Sequence, residues 1–201
     1  MVGKLWGYLV GCDAPAGTAR ALQRAYVAGG YEVRPVVEAI LRHPLFYDGP
    51  RMVTPPVVYC AGLLRATGQT ITTDSWAWIG QEAGQLLFDP PNVAGWDYAD
   101  WLDTARWSGR LTAVNYALMN ITIDPDRTDY PKDETPAQAV SSALQFWGNP
   151  ALSQQTVGSL VEFSARAENG ITADWEAIPY RIMRQNALRA LIPTTPEWQT
   201  S

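Results

Sequence analysis

Residues 84–110 read GQLLFDPPNVAGWDYADWLDTARWSGR, and this stretch interrupts an otherwise uniform pattern. On both sides the apolar residues recur at helix spacing. Within it, Asp89, Pro90 and Pro91 end the preceding helix, because the residue before a proline is driven out of helical backbone. Asn92 is suited to a side-chain turn, and Gly95 frees the backbone so that Trp96 can swing inward. The expectation is a rigid loop at 89–96 held by a buried Trp96, joining two helices of an all-α protein.

Outward from the loop, helices account for nearly everything. Leu5, Tyr8 and Leu9 open a short first helix that Gly11 and Pro15 end. Ala19, Leu22, Tyr26 and Val27 form the stripe of a second helix, stopped by Gly29-Gly30. Val33, Val36, Val37, Ile40 and Leu41 mark a third, with Pro35 tolerated in its first turn. Thr54 before Pro55 predicts a capped helix to Thr67. Trp76, Ile79, Ala83, Leu86 and Leu87 predict one over 74–87, and Leu111, Val114, Leu118 and Met119 one over 105–119. The short run NITID at 120–124 is the single strand candidate.

The charged, proline-broken segment 124–136, DPDRTDYPKDETP, reads as a solvated connector. It divides a main helical part, 1–123, from a C-terminal helical part, 137–201, expected to dock on the first. The smaller part has three helical stretches, started by Thr135-Pro136, by Ser153 and near residue 179. The whole is expected to be an irregular multi-helix bundle with one long structured proline/tryptophan loop.

Composition narrows the function. With 201 residues, 47% hydrophobic and 17% charged, the chain can bury a sizeable core. Its net charge of -5 and scattered basic residues argue against a nucleic-acid partner. No apolar run approaches the roughly 20 residues of a membrane-spanning helix. Cys12 and Cys60 are too few for a disulfide framework or a zinc site. No cofactor is expected, since the chain carries neither a glycine-rich nucleotide motif nor a Gly-x-Ser-x-Gly nucleophile turn.

The single histidine, His43, would have to serve any Ser-His or Cys-His system, and it rules out a multi-histidine metal site. At a helix end, His43 is read as capping the last carbonyls. Asp97, Asp100 and Asp103 recur every third residue, so on a helical turn they would share a face. With Trp96 and Trp101 beside them they form the candidate ligand site, because paired carboxylates can do glycoside acid/base work and tryptophans stack on sugars. The same residues can equally be helix-start charges and core tryptophans. The spacing lacks the glycine and final glutamate of a calcium loop, and no metal is expected.

The order Gly84-Gln85, Leu87-Phe88, Pro90-Pro91-Asn92-Val93, Gly95-Trp96, Trp101 and Arg110 resembles the hallmark segment of a bacterial family catalogued as domain of unknown function 1800. GKLWGYLVG, ILRHPLFY and ALRALIPTTPEWQ resemble three further segments of that family. The resemblance implies an all-helical fold and a structural motif made of Asp89, Pro90, Pro91, Asn92, Gly95, Trp96, Trp101 and Arg110. It implies no reaction or catalytic set, and the family's exported neighbours hint at an envelope role. His43 stands where the family tends to have a small hydroxyl residue. The chain resembles the C-terminal portion of the family domain, so the apolar side of Leu5, Trp6, Tyr8, Leu9 and Val10 is expected to lie open. A protein partner, the missing N-terminal half or self-association would cover it.

Two functions follow from these readings. One is a non-catalytic helical scaffold or protein-interaction module. The other is a saccharide-binding or carbohydrate-active protein using Trp96, Asp97, Asp100, Trp101 and Asp103.

Overall fold

The computed structural model describes residues 1–97 and 101–200. These residues are all-α, and their only β pairing is an isolated antiparallel bridge between Val53 and Thr200. The chain divides into two compact units, Met1–Met52 and Val53–Ser201.

The first unit holds α1 (Val2–Val10), α2 (Ala16–Ala28), α3 (Arg34–Leu41) and the short α4 (Pro44–Asp48). Val2, Trp6 and Val10 recur every four residues, so one stripe of α1 is apolar and packs with Leu22, Val36 and Ile40. This corrects the expectation of an open apolar side at residues 5–10. Trp6 is 0% exposed, Leu5 and Leu9 pack against the same core, and only Tyr8 faces water. Three further helices of the unit supply the cover.

His43 is also corrected. It does not cap the end of α3 but starts α4, where its Nδ1 accepts the N–H of Leu45 at 3.1 Å. Pro44 explains the difference: it cannot continue α3, yet its fixed φ suits the first position of a new helix. The ring of His43 stands edge-on to Trp6, with centroids 4.9 Å apart. The second unit repeats the proline start at its end, where Pro196 opens α11 (Pro196–Gln199) without a side-chain cap from Thr195.

The second unit contains α5 (Pro56–Ala66), α6 (Ser75–Glu82), α7 (Thr104–Leu118), α8 (Pro136–Phe146), α9 (Gln154–Glu168), α10 (Ala177–Leu191) and α11. Its core runs from Tyr59, Leu63, Trp76 and Ile79 through Ala113, Val114 and Ala117 to Val140, Leu160, Leu188 and Ile192. Start signals read from sequence are met at α8, where Thr135 and Gln138 form a capping box, and at α9, capped by Ser153. α5 instead begins at Pro56 with Pro55 before it, and Thr54 makes no side-chain cap.

α6 is shorter than the predicted 74–87. Gly84 takes φ 107, outside helical backbone, and Gln85 N–H reaches back to Gly80 O at 2.8 Å while Gly84 N–H reaches Gln81 O at 2.9 Å. This paired closure consumes the last carbonyls and stops the helix. α7 then crosses α6 at close range. A Cβ on Gly109 would fall 2.4 Å from backbone atoms of Glu82 and Ala83.

Segment 124–136 lies inside the second unit, and the one core cluster draws helices from both sides of it. NITID forms no strand. Asn186 on α10 exchanges two hydrogen bonds with the backbone of Ile123, at 2.9 and 2.8 Å. Arg184 donates to the carbonyl of Glu134 at 2.8 Å and to its carboxylate at 3.0 Å. Arg181 binds Glu168 at 2.8 Å, and the Tyr130 hydroxyl donates to Glu134 at 3.1 Å. The stretch is thus a strap tied to α10. No helix of the described residues is long and apolar enough to cross a membrane.

Candidate functional site

Arg110 is the hub of the hallmark residues. It sits on α7 three and four residues ahead of Ala113 and Val114, on the buried stripe, and is 1% exposed. Its Nη2 donates to Thr54 O at 2.6 Å, Nη1 to Gln199 Oε1 at 2.9 Å and Nε to Trp101 O at 3.3 Å. The guanidinium also lies over the Tyr59 ring, 5.0 Å from its centroid. One planar fork therefore ties together the start of the unit, the loop before α7 and the last helix. Gln199 returns its own carbonyl to Thr54 N–H at 2.8 Å, and Tyr59 donates to Pro193 O at 3.1 Å. Burial pushes the Tyr59 hydroxyl up to about 12 and the neighbouring Cys60 thiol up to about 11. Both groups therefore stay protonated at neutral pH, and Cys12 and Cys60 are both free thiols.

The loop itself is turned outward. Asp89 N–H closes on Leu86 O at 3.2 Å, the Asn92 side chain accepts Ala94 N–H at 2.7 Å, and Gly95 N–H binds Asn92 O at 3.1 Å. The side-chain turn expected of Asn92 is present, while Asp89, Pro90, Pro91 and Asn92 are all exposed and Gly95 is half-buried. Trp96 is only half-buried, which corrects its place as the anchor. The buried tryptophan is Trp101, 7% exposed, whose ring lies against Gly84: a Cβ there would meet it at 2.9 Å. Trp101 takes the inward place because Arg110 holds its carbonyl and the bare Gly84 leaves room for its ring.

Asp97 and Asp103 do not share a helical turn. Asp97 is exposed and precedes the helix, while Asp103 caps α7 by accepting Arg106 N–H at 2.7 Å. Asp100 lies outside the described residues. Arg106 turns its guanidinium to the end of α6, donating to Gln81 O at 3.3 Å and Glu82 O at 3.4 Å. Among the described residues no three His, Cys, Asp or Glu side chains converge to hold a metal ion.

What the sequence did not reveal is a groove of about 820 Å³ beside this loop. Val57, Cys60, Ala61 and Leu64 of α5 form one wall, and Trp76, Ala77 and Gly80 of α6 the other. Leu86, Leu87 and Phe88 lie at its rim, and Ile71 stands in the connection between the helices. Its polar neighbours are largely engaged. Gln85 Oε1 caps α5 at Val57 N–H (3.1 Å), Gln69 donates to Ala117 O (2.7 Å), and Thr73 meets the Tyr116 hydroxyl (3.1 Å). The groove is thus presented to solvent as an apolar surface.

Phe88 is its most unusual member. It is 97% exposed and holds φ 67, a left-handed backbone that costs a non-glycine residue roughly 1–2 kcal/mol. The signal available in the sequence was an excess of apolar residues: Leu86, Leu87 and Phe88 continue past Gly84 with no helix left to bury them.

A family model matches residues 1–200, and its description is Protein of unknown function (DUF1800). The chain belongs to this family. No curated protein and no solved structure matches it.

Proposed function

We propose that the chain is a helical protein-interaction module whose docking surface is the groove between α5 and α6. The observation that carries this reading is the coincidence of a wide apolar groove with Ile71, Leu87 and Phe88 exposed at its edge. An apolar recess with exposed apolar side chains at its edge is the kind of surface on which interaction sites are built. Helix-in-groove recognition matches it: an amphipathic segment lays side chains spaced three and four residues apart into an apolar trough, and its polar face stays wet. A sugar would need several convergent hydrogen-bonding groups; Gln69, Thr73 and Gln85 already have partners, and the other polar side chains of the lining are Arg65, Thr70 and Asp74. The hub around Arg110 then serves as scaffold, holding Gly84 and Trp101 so that α6 stops where the rim begins.

The test is an isotope-edited NMR titration of the intact chain with an amphipathic helical peptide, a polar peptide of equal length and a set of oligosaccharides. The amphipathic peptide is expected to shift Ala61, Leu64, Ile71 and Ala77. A response confined to sugars, centred on Trp96 and Asp97, would replace this reading with saccharide binding.

A further inference from the structure

Resting on that reading, we infer that the groove's occupant is a second copy of this chain, with Phe88 of each protomer seated in the groove of the other. Knob and groove belong to one surface: Phe88 stands on the rim of the trough that Val57, Ala61, Leu64 and Ala77 line. A patch that carries both a projecting apolar group and an apolar recess is self-complementary about a two-fold axis. One rotation makes both contacts at once and closes the assembly.

The knob is preorganised. The Asp89 N–H to Leu86 O turn, two following prolines and the Asn92 turn hold the loop, so docking the ring orders little new chain. Its left-handed backbone directs a nearly bare phenyl into water, an arrangement that folding of a lone chain gains nothing from. Charge permits the encounter. Among the described residues the groove lining carries Arg65 and Asp74 and the exposed Asp89 follows the knob, so Arg65 is the cation that offsets carboxylate charge where two copies meet.

Sedimentation velocity from micromolar to near-millimolar protein tests the inference. The parent is expected to pass from monomer to dimer. Phe88→Ser, which removes the knob, and Ala61→Trp, which fills the groove from an exposed position, are each expected to raise the dissociation constant roughly 100-fold or more, since two reciprocal ring burials are lost. Circular dichroism melts matching the parent would show both variants folded. Mixed in equal amounts, the two variants should recover a dimer of intermediate strength, because the intact knob of one meets the intact groove of the other. A parent that stays monomeric throughout, a dimer indifferent to both substitutions, or a mixture no stronger than its components would overturn the inference. A monomeric parent whose groove still responds to the amphipathic peptide would leave the interaction module standing with a different partner. Failure of both experiments removes both.

Discussion

Arg110 lies over the ring of Tyr59, its guanidinium 5.0 Å from the ring centroid, while its nitrogens are spent on the carbonyls of Thr54 and Trp101 and the amide of Gln199. A buried cation held this way is matched by dipoles and a π face, and every acceptor depends on it. Arg110→Met is expected to cost about 3–5 kcal/mol, because it strands three buried acceptors at once. Arg110→Lys should restore little, since an ammonium cannot reproduce the planar fork. Urea unfolding of both variants checks this, and a lysine variant as stable as the parent would show that charge alone suffices.

The two loop tryptophans should behave differently. Trp101 is buried against Gly84 and Trp96 is half-exposed. Trp101→Ala is therefore expected to lose about 3–5 kcal/mol and Trp96→Ala less than half as much. Equal losses in thermal or urea unfolding would mean that Trp96 anchors the loop after all.

Two glycines offer a matched pair. A methyl on Gly109 would meet backbone of Glu82 and Ala83 at 2.4 Å, where no side chain can step aside, whereas Gly158 in α9 has nothing within 4 Å. Gly109→Ala should destabilise by about 1–3 kcal/mol despite its better helix propensity. Gly158→Ala should stabilise by about 0.5–1 kcal/mol. The difference between their unfolding midpoints is the measurement, and a gain at both positions would refute the close crossing of α6 and α7.

Glu197 supplies a pH signature. Its carboxylate accepts Ser153 N–H at 2.9 Å and the Thr156 hydroxyl at 2.8 Å at the start of α9. Hydrogen bonding from Ser153 holds it down at about 2, below the ordinary 4.5. A group depressed on folding contributes stability above its unfolded pKa and loses it as pH falls toward the folded one. The stability gap between the parent and Glu197→Gln should thus be full near neutrality and close between about pH 4.5 and 2. A gap that does not change with pH would mean that ionisation of Glu197 contributes nothing to stability.

Local signals carried most of the helical fold. Thr135-Pro136, Ser153 and Gly11 each act within a few residues, and each ends or starts a helix where the pattern says. Helix period alone carried α6 too far, because Leu86 and Leu87 keep the spacing beyond the stop at Gly84. His43 departs from its expected place for a related reason: a proline after a histidine marks both an end and a beginning. The buried tryptophan was legible as a type of residue but not as a position, since Trp96 and Trp101 differ only in what Arg110 and Gly84 do across the fold. An arginine three and four residues before Ala113 and Val114 was the available clue that α7 buries a cation. The groove had no such clue, being assembled from α5, α6 and the residues between and after them.

The bridge between Val53 and Thr200, beside the bond from Thr54 N–H to Gln199 O, brings the first residue of the second unit beside the last one described. In topological terms that unit is a ring with one gap. Within that unit, a short linker from Thr200 to Val53, with a new opening in the exposed stretch 125–129, is expected to keep α5 to α11 and the Arg110 bonds in place. The same adjacency suits the unit to being carried inside another chain, entering and leaving its host through neighbouring points.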